Sequence, residues 1–484
     1  MDEQASEPDR RWRWFLPVLL LSTAALKLAF ATAYPGFHSG DDLEIVEAAA
    51  RAALGFPYEP WNIRSLFHPI VFVAPVLSLG SALGLHGARA LVFLATIPTT
   101  LFSTAGIWLL WRLTRELRWE PAVGRAAAFL FAVHTLPLAY GSMPYPRPIS
   151  TAFLLLAFVL LAREDARAGA SLAAGLAVAA AMAVRWSEGV LLLPLVGFAA
   201  WRTRSIVAAV QVATGFAAGL VLVVGVFDRL TWGAPFASLL AFERFGADPS
   251  AVGVFPHRPW YWYATNILGW AGPLLVVLAI AGIRDRRARL PLLLAASAVV
   301  LLSFSPMKQP RYVQAAIPFV AMAAALGWER LRARAPKLAA LLLAAAFPIG
   351  LERTRHLLDH KSLSAFAAAR DLAEAASPPR VILFEQAWAW GDALPFAPGT
   401  TVRDLPPRTP LATDAFLAAA SGAEAFGLYA QDAPADLDAA LGPSWKPCGS
   451  LRIGSSPEVR LFLKTERECP AGWSAGVSGA RPGS

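Results

Sequence analysis

Three stretches of this chain, 88–111, 205–227 and 264–283, each run through twenty or more residues without one acidic side chain. A membrane-spanning helix needs about 20 mostly apolar residues. Inside a bilayer the backbone must satisfy its own hydrogen bonds, so such stretches point to a bundle of spanning helices. Composition agrees: 56% of the 484 residues are hydrophobic, 16% are charged and the mean hydropathy is +0.49. That is too apolar for a soluble protein of this length. The first apolar segment, 14–33, is too long for a signal peptide and lacks its small-residue cleavage pattern, so it reads as a retained anchor.

The net charge of +9 suggests nucleic acid at first sight. The basic residues, however, come in short clusters between apolar segments, as cytoplasmic loops do, and no nucleic-acid partner is expected. The clusters are Arg10, Arg11 and Arg13; Arg112, Arg115 and Arg118; Arg163 and Arg167; Arg202 and Arg204; Arg284, Arg286, Arg287 and Arg289; and Arg330, Arg332, Arg334 and Lys337. Counting every apolar stretch as a span breaks the alternation of basic loops. Leaving out 66–84, which carries His68, Pro69 and Pro75, restores it, so that segment is expected to lie at the interface or to re-enter.

The resulting topology has about eleven spans. They lie near 14–33, 88–111, 122–141, 149–162, 170–184, 188–201, 205–227, 264–283, 290–304, 312–328 and 337–351. The amino terminus is inside, and everything after about residue 352 is outside. The expected fold is therefore an all-α polytopic membrane protein with juxtamembrane helices in the first outer loop, plus a small α/β soluble carboxyl-terminal region. Its two divisions are 1–351 and 352–484. The second division is more polar, with strand-like runs at 380–384 and 459–463, and it holds the only two cysteines, Cys448 and Cys469. A disulfide in an oxidising compartment and a reduced pair both fit that placement. The tail from 471 has the composition of a disordered segment, and no repeat of fixed period is present.

The chemistry-bearing residues fall in the outer loops. Residues 43–54 set Leu43, Val46, Ala50, Ala53 and Leu54 on one helical face and Glu44, Glu47 and Arg51 on another, as in a helix lying at a membrane surface. Asp41 and Asp42 precede it. Asp41 with Glu44 three residues on has the spacing of a capping box, while a carboxylate in an outer loop also suits a general base. The residues alone leave both readings open. Lys308 and Arg311 place two cations on the cation-poor face, where they suit a phosphate, although basic residues at helix ends also snorkel to headgroups. Trp260 to Tyr263 read as an interfacial aromatic belt. Lys27 and His134 are ionisable groups at membrane depth that either line a polar cavity or snorkel.

Taken in order, these segments resemble the Alg9-like mannosyltransferase family, a group of membrane-embedded glycosyltransferases that use lipid-phosphate sugars. The family's first outer loop carries a His-Pro-Asp-Glu-like element, a helix, then Trp-Glu-Trp and Arg-Ser patterns. Here stand "HSGDD", beginning at His38, then the helix, then "YEPWNIRS" with Glu59, Trp61, Arg64 and Ser65. "RWSEGVLLLPL" at 185–195 is similar to the family's Arg-containing sixth span, and "FDRLTWGAPF", which includes Asp228, to its Asp-x-x-x-Tyr-Gly segment. "PWYWY" and "MKQPRY" are similar to its Pro-Trp-x-x-Tyr and His-Lys-Glu-x-Arg-Phe. The resemblance runs from about 14 to 330 and departs at Ser39 and Gly40, at Asp42, and at Met307 and Gln309 beside the lysine.

The resemblance implies an inverting transfer of a hexose, mannose in the family, from a polyprenyl-phosphate carrier to a hydroxyl on a glycan or glycolipid acceptor at the extracytoplasmic side. It implies Asp41 as catalytic base, with Asp42, His38, Arg64 and Asp228 in support and Lys308 and Arg311 on the donor phosphate. No metal or cofactor beyond the lipid-linked sugar is expected. The partners are then membrane lipid, donor and acceptor, and the location is a bacterial inner membrane or, in a eukaryote, the endoplasmic reticulum. The competing class is a transporter or flippase for a lipid-linked sugar, which would need polar or broken spans near the midplane.

Overall fold

The computed structural model describes residues 12–164, 168–248, 257–359, 362–396, 398–405, 413–471 and 473. Arg10, Arg11 and Arg167 of the basic clusters lie outside them, as does the tail expected to be disordered, apart from Ala471 and Trp473. Trp473 is buried, and its indole donates to Asp371 at 3.1 Å.

The chain divides into two compact units. A helical unit comprises Met1–Leu28, Pro60–Phe72 and Ile97–Thr354, and a sheet unit comprises Ala29–Glu59, Val73–Thr96 and Arg355–Ser484. The helix that carries Asp41 thus belongs with the carboxyl-terminal sheet.

Helices stand at every segment expected to span. Three described helices, Phe15–Ala33, Ala88–Glu116 and Ile206–Thr231, are by themselves long and apolar enough to cross a membrane. Shorter apolar helices include Pro121–Ala132, Pro146–Ala162, Gly169–Val184 and Pro273–Gly282. Several begin on proline at the first helical position, where its missing N–H has no intrahelical partner to lose. Segment 66–84, set aside as non-crossing, forms only the short helix Pro69–Ala82, which opens with a π-helical stretch, Pro69–Val73. Expected span 122–141 breaks at Val133 and His134, and 264–283 is interrupted by Gly272 in a left-handed conformation at φ +79°.

Helices in the helical unit approach closely through glycine. A Cβ on Gly327 would fall 1.8 Å from the Leu278 carbonyl oxygen, and one on Gly215 would fall 2.1 Å from that of Leu172. Small residues of this kind let helix backbones touch where burial of apolar surface drives nothing.

One end of this unit collects the basic clusters. Arg118 pairs with Glu164, Arg202 donates to the Ala162 carbonyl at 3.0 Å, and Arg287 bonds Asp285, Glu120 and Glu329. Arg125 lies 5.0 Å from the Trp12 ring centroid. Loops that the charge pattern assigned to one side are therefore linked by contact.

Among its described residues the sheet unit holds five strands: β1 (Val381–Glu385), β2 (Thr401–Leu405), β3 (Ala425–Tyr429), β4 (Trp445–Leu451) and β5 (Val459–Lys464). Their order is β2-β1-β3-β5-β4, with β1 parallel to β2 and β3, and β5 antiparallel to β3 and β4. Alternate residues feed two cores, one on each face. Ile382, Phe384 and Val459 join the core beneath helix Leu363–Ala373, whereas Leu383, Phe426 and Phe462 join the one beneath Thr413–Ala420. Burial on both faces explains why β1 and β3 read as continuous apolar runs. Cys448 and Cys469 form a disulfide.

Candidate functional site

In the sheet unit, helix Gly40–Leu54 carries the first acidic motif. The sequence spacing offered Asp41 and Glu44 as a capping box; the structure assigns that box to Ser39 and Asp42 instead. Ser39 is the cap, and the Asp42 carboxylate accepts from the Ser39 N–H at 2.7 Å, the Ser39 hydroxyl at 3.0 Å and the His38 N–H at 2.6 Å. Helix formation begins one turn earlier than the apolar periodicity shows, because Gly40 continues the helix. Asp42 is buried, while Asp41, at the second helical position, is half-buried. His38 thus meets Asp42 through its backbone.

This helix is not a surface helix with one wet face. Glu47, placed by periodicity on the polar face, is buried, and residues 387–390 pack against the helix. Burial, with the charges of Asp392 and Glu44 adding to it, raises the Glu47 carboxyl to about 9. Burial and the Asp404 charge raise Asp392 to about 6. Glu47 is therefore neutral at pH 7. Phe37, just before the helix, is anchored reciprocally to Ser362: its N–H donates to the Ser362 hydroxyl at 3.0 Å, and that hydroxyl donates back to the Phe37 carbonyl at 2.9 Å.

In the helical unit, several loops converge on the segment 305–316. Lys308 is buried, and its ammonium donates to the carbonyls of Ser305 and, at 3.0 Å, Arg258. Arg311 lies 5.5 Å from the Tyr145 ring centroid and 5.7 Å from that of Tyr312. Beside them is a pair that the sequence reading did not single out. Arg147 and Glu188, each 1% exposed, meet at 2.9 Å. Arg147 also donates to the Tyr312 carbonyl at 3.0 Å and stacks 4.5 Å from its ring, with Arg185 on the same ring at 5.8 Å. Three guanidinium groups thus surround Tyr312 with one carboxylate among them. The signal for the pair was available, since Arg147 and Glu188 are opposite charges at the ends of expected spans, where an ionisable residue calls for a partner.

The remaining expected site residues are structurally engaged. Asp228 is buried and accepts from the Ser238 N–H at 2.9 Å and its hydroxyl at 2.8 Å, holding the first turn of helix Ala237–Ala247. Arg64 lies 5.7 Å from the Trp61 ring centroid, and Trp61 meets Phe245 edge-on. Of the aromatic belt, Trp260 and Tyr261 are exposed, whereas Tyr263 is buried and donates to the Gln309 carbonyl at 3.3 Å. Lys27 is buried rather than snorkelling and donates to Ser103 at 2.8 Å, and His134 accepts from the Leu136 N–H at 3.2 Å.

A helical membrane scaffold whose loops gather cations around aromatic faces, joined in one chain to an acid-bearing helix on an α/β unit, is the build of a membrane glycosyltransferase. The chain belongs to the Alg9-like mannosyltransferase family, whose sequence pattern matches residues 21–383. Among solved structures it is similar to ArnT from Cupriavidus metallidurans bound to undecaprenyl phosphate, at 15% identity and a TM-score of 0.59, covering 93% of this chain and 98% of that one. The apo state of the same enzyme gives 14% and 0.58, covering 92% and 97%. It is also similar to the oligosaccharyltransferase AglB from Archaeoglobus fulgidus in complex with an inhibitory peptide and a dolichol-phosphate, at 12% identity and 0.52, covering 86% and 69%. At these identities the likeness is one of fold. Comparison with curated protein sequences returns no match.

Proposed function

We propose that this enzyme transfers mannose, with inversion, from a polyprenyl-phosphate carrier to a hydroxyl of a glycan or glycolipid at the extracytoplasmic face. The bond from the acceptor oxygen to the sugar C1 forms as the bond from C1 to the phosphate oxygen breaks. Asp41 takes the hydroxyl proton, and polyprenyl phosphate leaves. Positioned general bases contribute about 10²–10⁴-fold. Arg311, with Lys308 fixing its loop, stabilises the departing phosphate by fixed charge, which is most effective where water is excluded. Arg64, His38, Asp42 and Asp228 support the two segments, and the lipid-linked sugar is the one co-substrate, without a metal. Undecaprenyl phosphate and dolichol-phosphate in the similar structures are carriers of the chemistry this donor requires.

The topology that goes with this reading has about eleven spans in residues 1–351 and an extracytoplasmic 352–484. Contacts among the basic loops support one cytoplasmic end, and the Cys448–Cys469 disulfide supports an oxidising compartment for the sheet unit. That compartment lies outside a bacterial inner membrane or within the endoplasmic reticulum.

The observation that carries the assignment of the base is the Ser39–Asp42 capping box, because it supplies the cap without Asp41. Asp41→Asn should lower transfer by a factor on the order of 10² or more with little change in thermal stability, since an amide cannot accept the proton. Asp42→Asn should instead lower stability by about 1 kcal/mol, since the amide nitrogen cannot accept the N–H that one carboxylate oxygen now takes. Transfer would be followed with polyprenyl-phosphate mannose and a membrane extract, with identification of the mannosylated product. Full activity in Asp41→Asn would remove it as the base.

A further inference from the structure

Between helices Phe15–Ala33, Pro121–Ala132 and Pro336–Asp359 of the helical unit runs an open groove of about 660 Å³. Its walls are apolar, including Leu19, Leu26, Phe129, Leu138 and Phe347, and among the described residues that line it none is acidic. The volume falls within the usual range of small-molecule sites, about 300–1,000 Å³. One end differs from the rest. There the lining consists of Trp12 and Trp14, and each indole carries a guanidinium, Arg125 at 5.0 Å from Trp12 and Arg13 at 5.5 Å from Trp14. From Trp12 to Leu26 the groove follows the first helix for about 21 Å at 1.5 Å per residue, the length of an extended fatty acyl chain.

Two cations stacked on the tryptophans at one end, with an apolar trough beyond, match a molecule with a negative head and a hydrocarbon tail. We propose that this groove binds one anionic phospholipid of the bilayer, its phosphate between Arg13 and Arg125 and one acyl chain along Leu19 and Leu26. The placement rests on the proposed topology, in which this end faces the cytoplasm, where anionic lipids concentrate and each nearby cation adds about 1 kcal/mol of attraction. The donor's sugar end works at the opposite face in that reading, so the groove is a separate site. Among the three long apolar helices of the described residues, Phe15–Ala33 is the least covered, with 22% of its spanning window buried against 28% and 61% for the others, which leaves room for a lipid.

Native mass spectrometry of the purified, full-length protein in detergent tests the proposal without reference to transfer. The protein would be titrated with phosphatidylglycerol and with phosphatidylcholine of the same acyl chains. One phosphatidylglycerol should be retained in preference to phosphatidylcholine. The double variant Arg13→Gln, Arg125→Gln should weaken that retention by about tenfold or more. Ser22→Trp, which fills the groove and leaves both cations in place, should remove it. Equal retention of the two lipids by the unmodified protein would mean bulk lipid only and overturn the proposal, and so would retention that survives the filled groove. Preference for polyprenyl phosphate over phosphatidylglycerol would assign a different occupant and likewise overturn it. None of these outcomes depends on Asp41 or on the sugar, so the lipid site and the transferase reading fail separately.

Discussion

Both ends of the helical unit are rich in arginine, but they use it differently. At the end that collects the basic clusters Arg287 is 34% exposed and shares its charge among Asp285, Glu120 and Glu329, so water screens much of what it does. At the other end Arg147 and Glu188 are each 1% exposed, and the desolvation cost is offset only because each supplies the other's charge. Exposed charge links the basic loops to one another. Buried charge fixes where a loop sits, here by holding the Tyr312 carbonyl and, next to it, Arg311.

The largest test of that contrast is Arg147→Met, which strands the Glu188 carboxylate and should cost about 3–5 kcal/mol of stability, read by thermal unfolding in detergent. Adding Glu188→Met should restore most of it. A single variant as harmless as one at Arg287 would erase the distinction between the ends. The next effect carries the contrast into the sheet unit, where Glu47 is a buried acid with raised pKa. Its folded state holds the proton up to about pH 9 while the unfolded chain releases it near 4.5, so its contribution is full below 4.5 and is lost as pH rises through that window. Thermal stability followed by tryptophan fluorescence should fall across those values, and Glu47→Gln should flatten the slope.

Smaller again is the separation of the two loop cations. Lys308→Gln removes an ammonium held by two carbonyls and should cost about 1–3 kcal/mol of stability as well as donor use. Arg311→Gln should raise the KM for the lipid-phosphate donor with a lesser effect on stability. Equal stability losses would make both cations structural. Smallest is Arg287→Gln, expected to shift stability by less than about 1 kcal/mol and to lose even that at high salt.

Local signals in the chain were informative wherever one periodicity governed. Apolar length placed the helices, and the runs 380–384 and 459–463 became β1 and β5 because both faces of those strands are covered. The acidic helix was harder to read. Glu47 stands on a polar face by spacing, and only the distant residues 387–390 bury it. Asp41 and Glu44 have the spacing of a cap, yet Ser39 and Asp42 take that part because the helix starts at Gly40. Arg147 lies between prolines in the first turn of helix Pro146–Ala162, and its partner is 41 residues away, beyond the reach of any local pattern. Residues that hold the candidate site together are those whose partners come from elsewhere in the sequence.

The Phe37–Ser362 link joins residues 325 positions apart. At a synthesis rate of about 5–20 residues per second, roughly 16–65 s separate the appearance of Phe37 from that of the hydroxyl that anchors it. Through that interval the acidic segment is already made while its seat on the sheet is not. The enzyme thus has a built-in delay: its candidate base takes up its final setting only after about three quarters of the chain has been translated, and a product cut short before Ser362 would lack the hydroxyl that anchors the acidic segment.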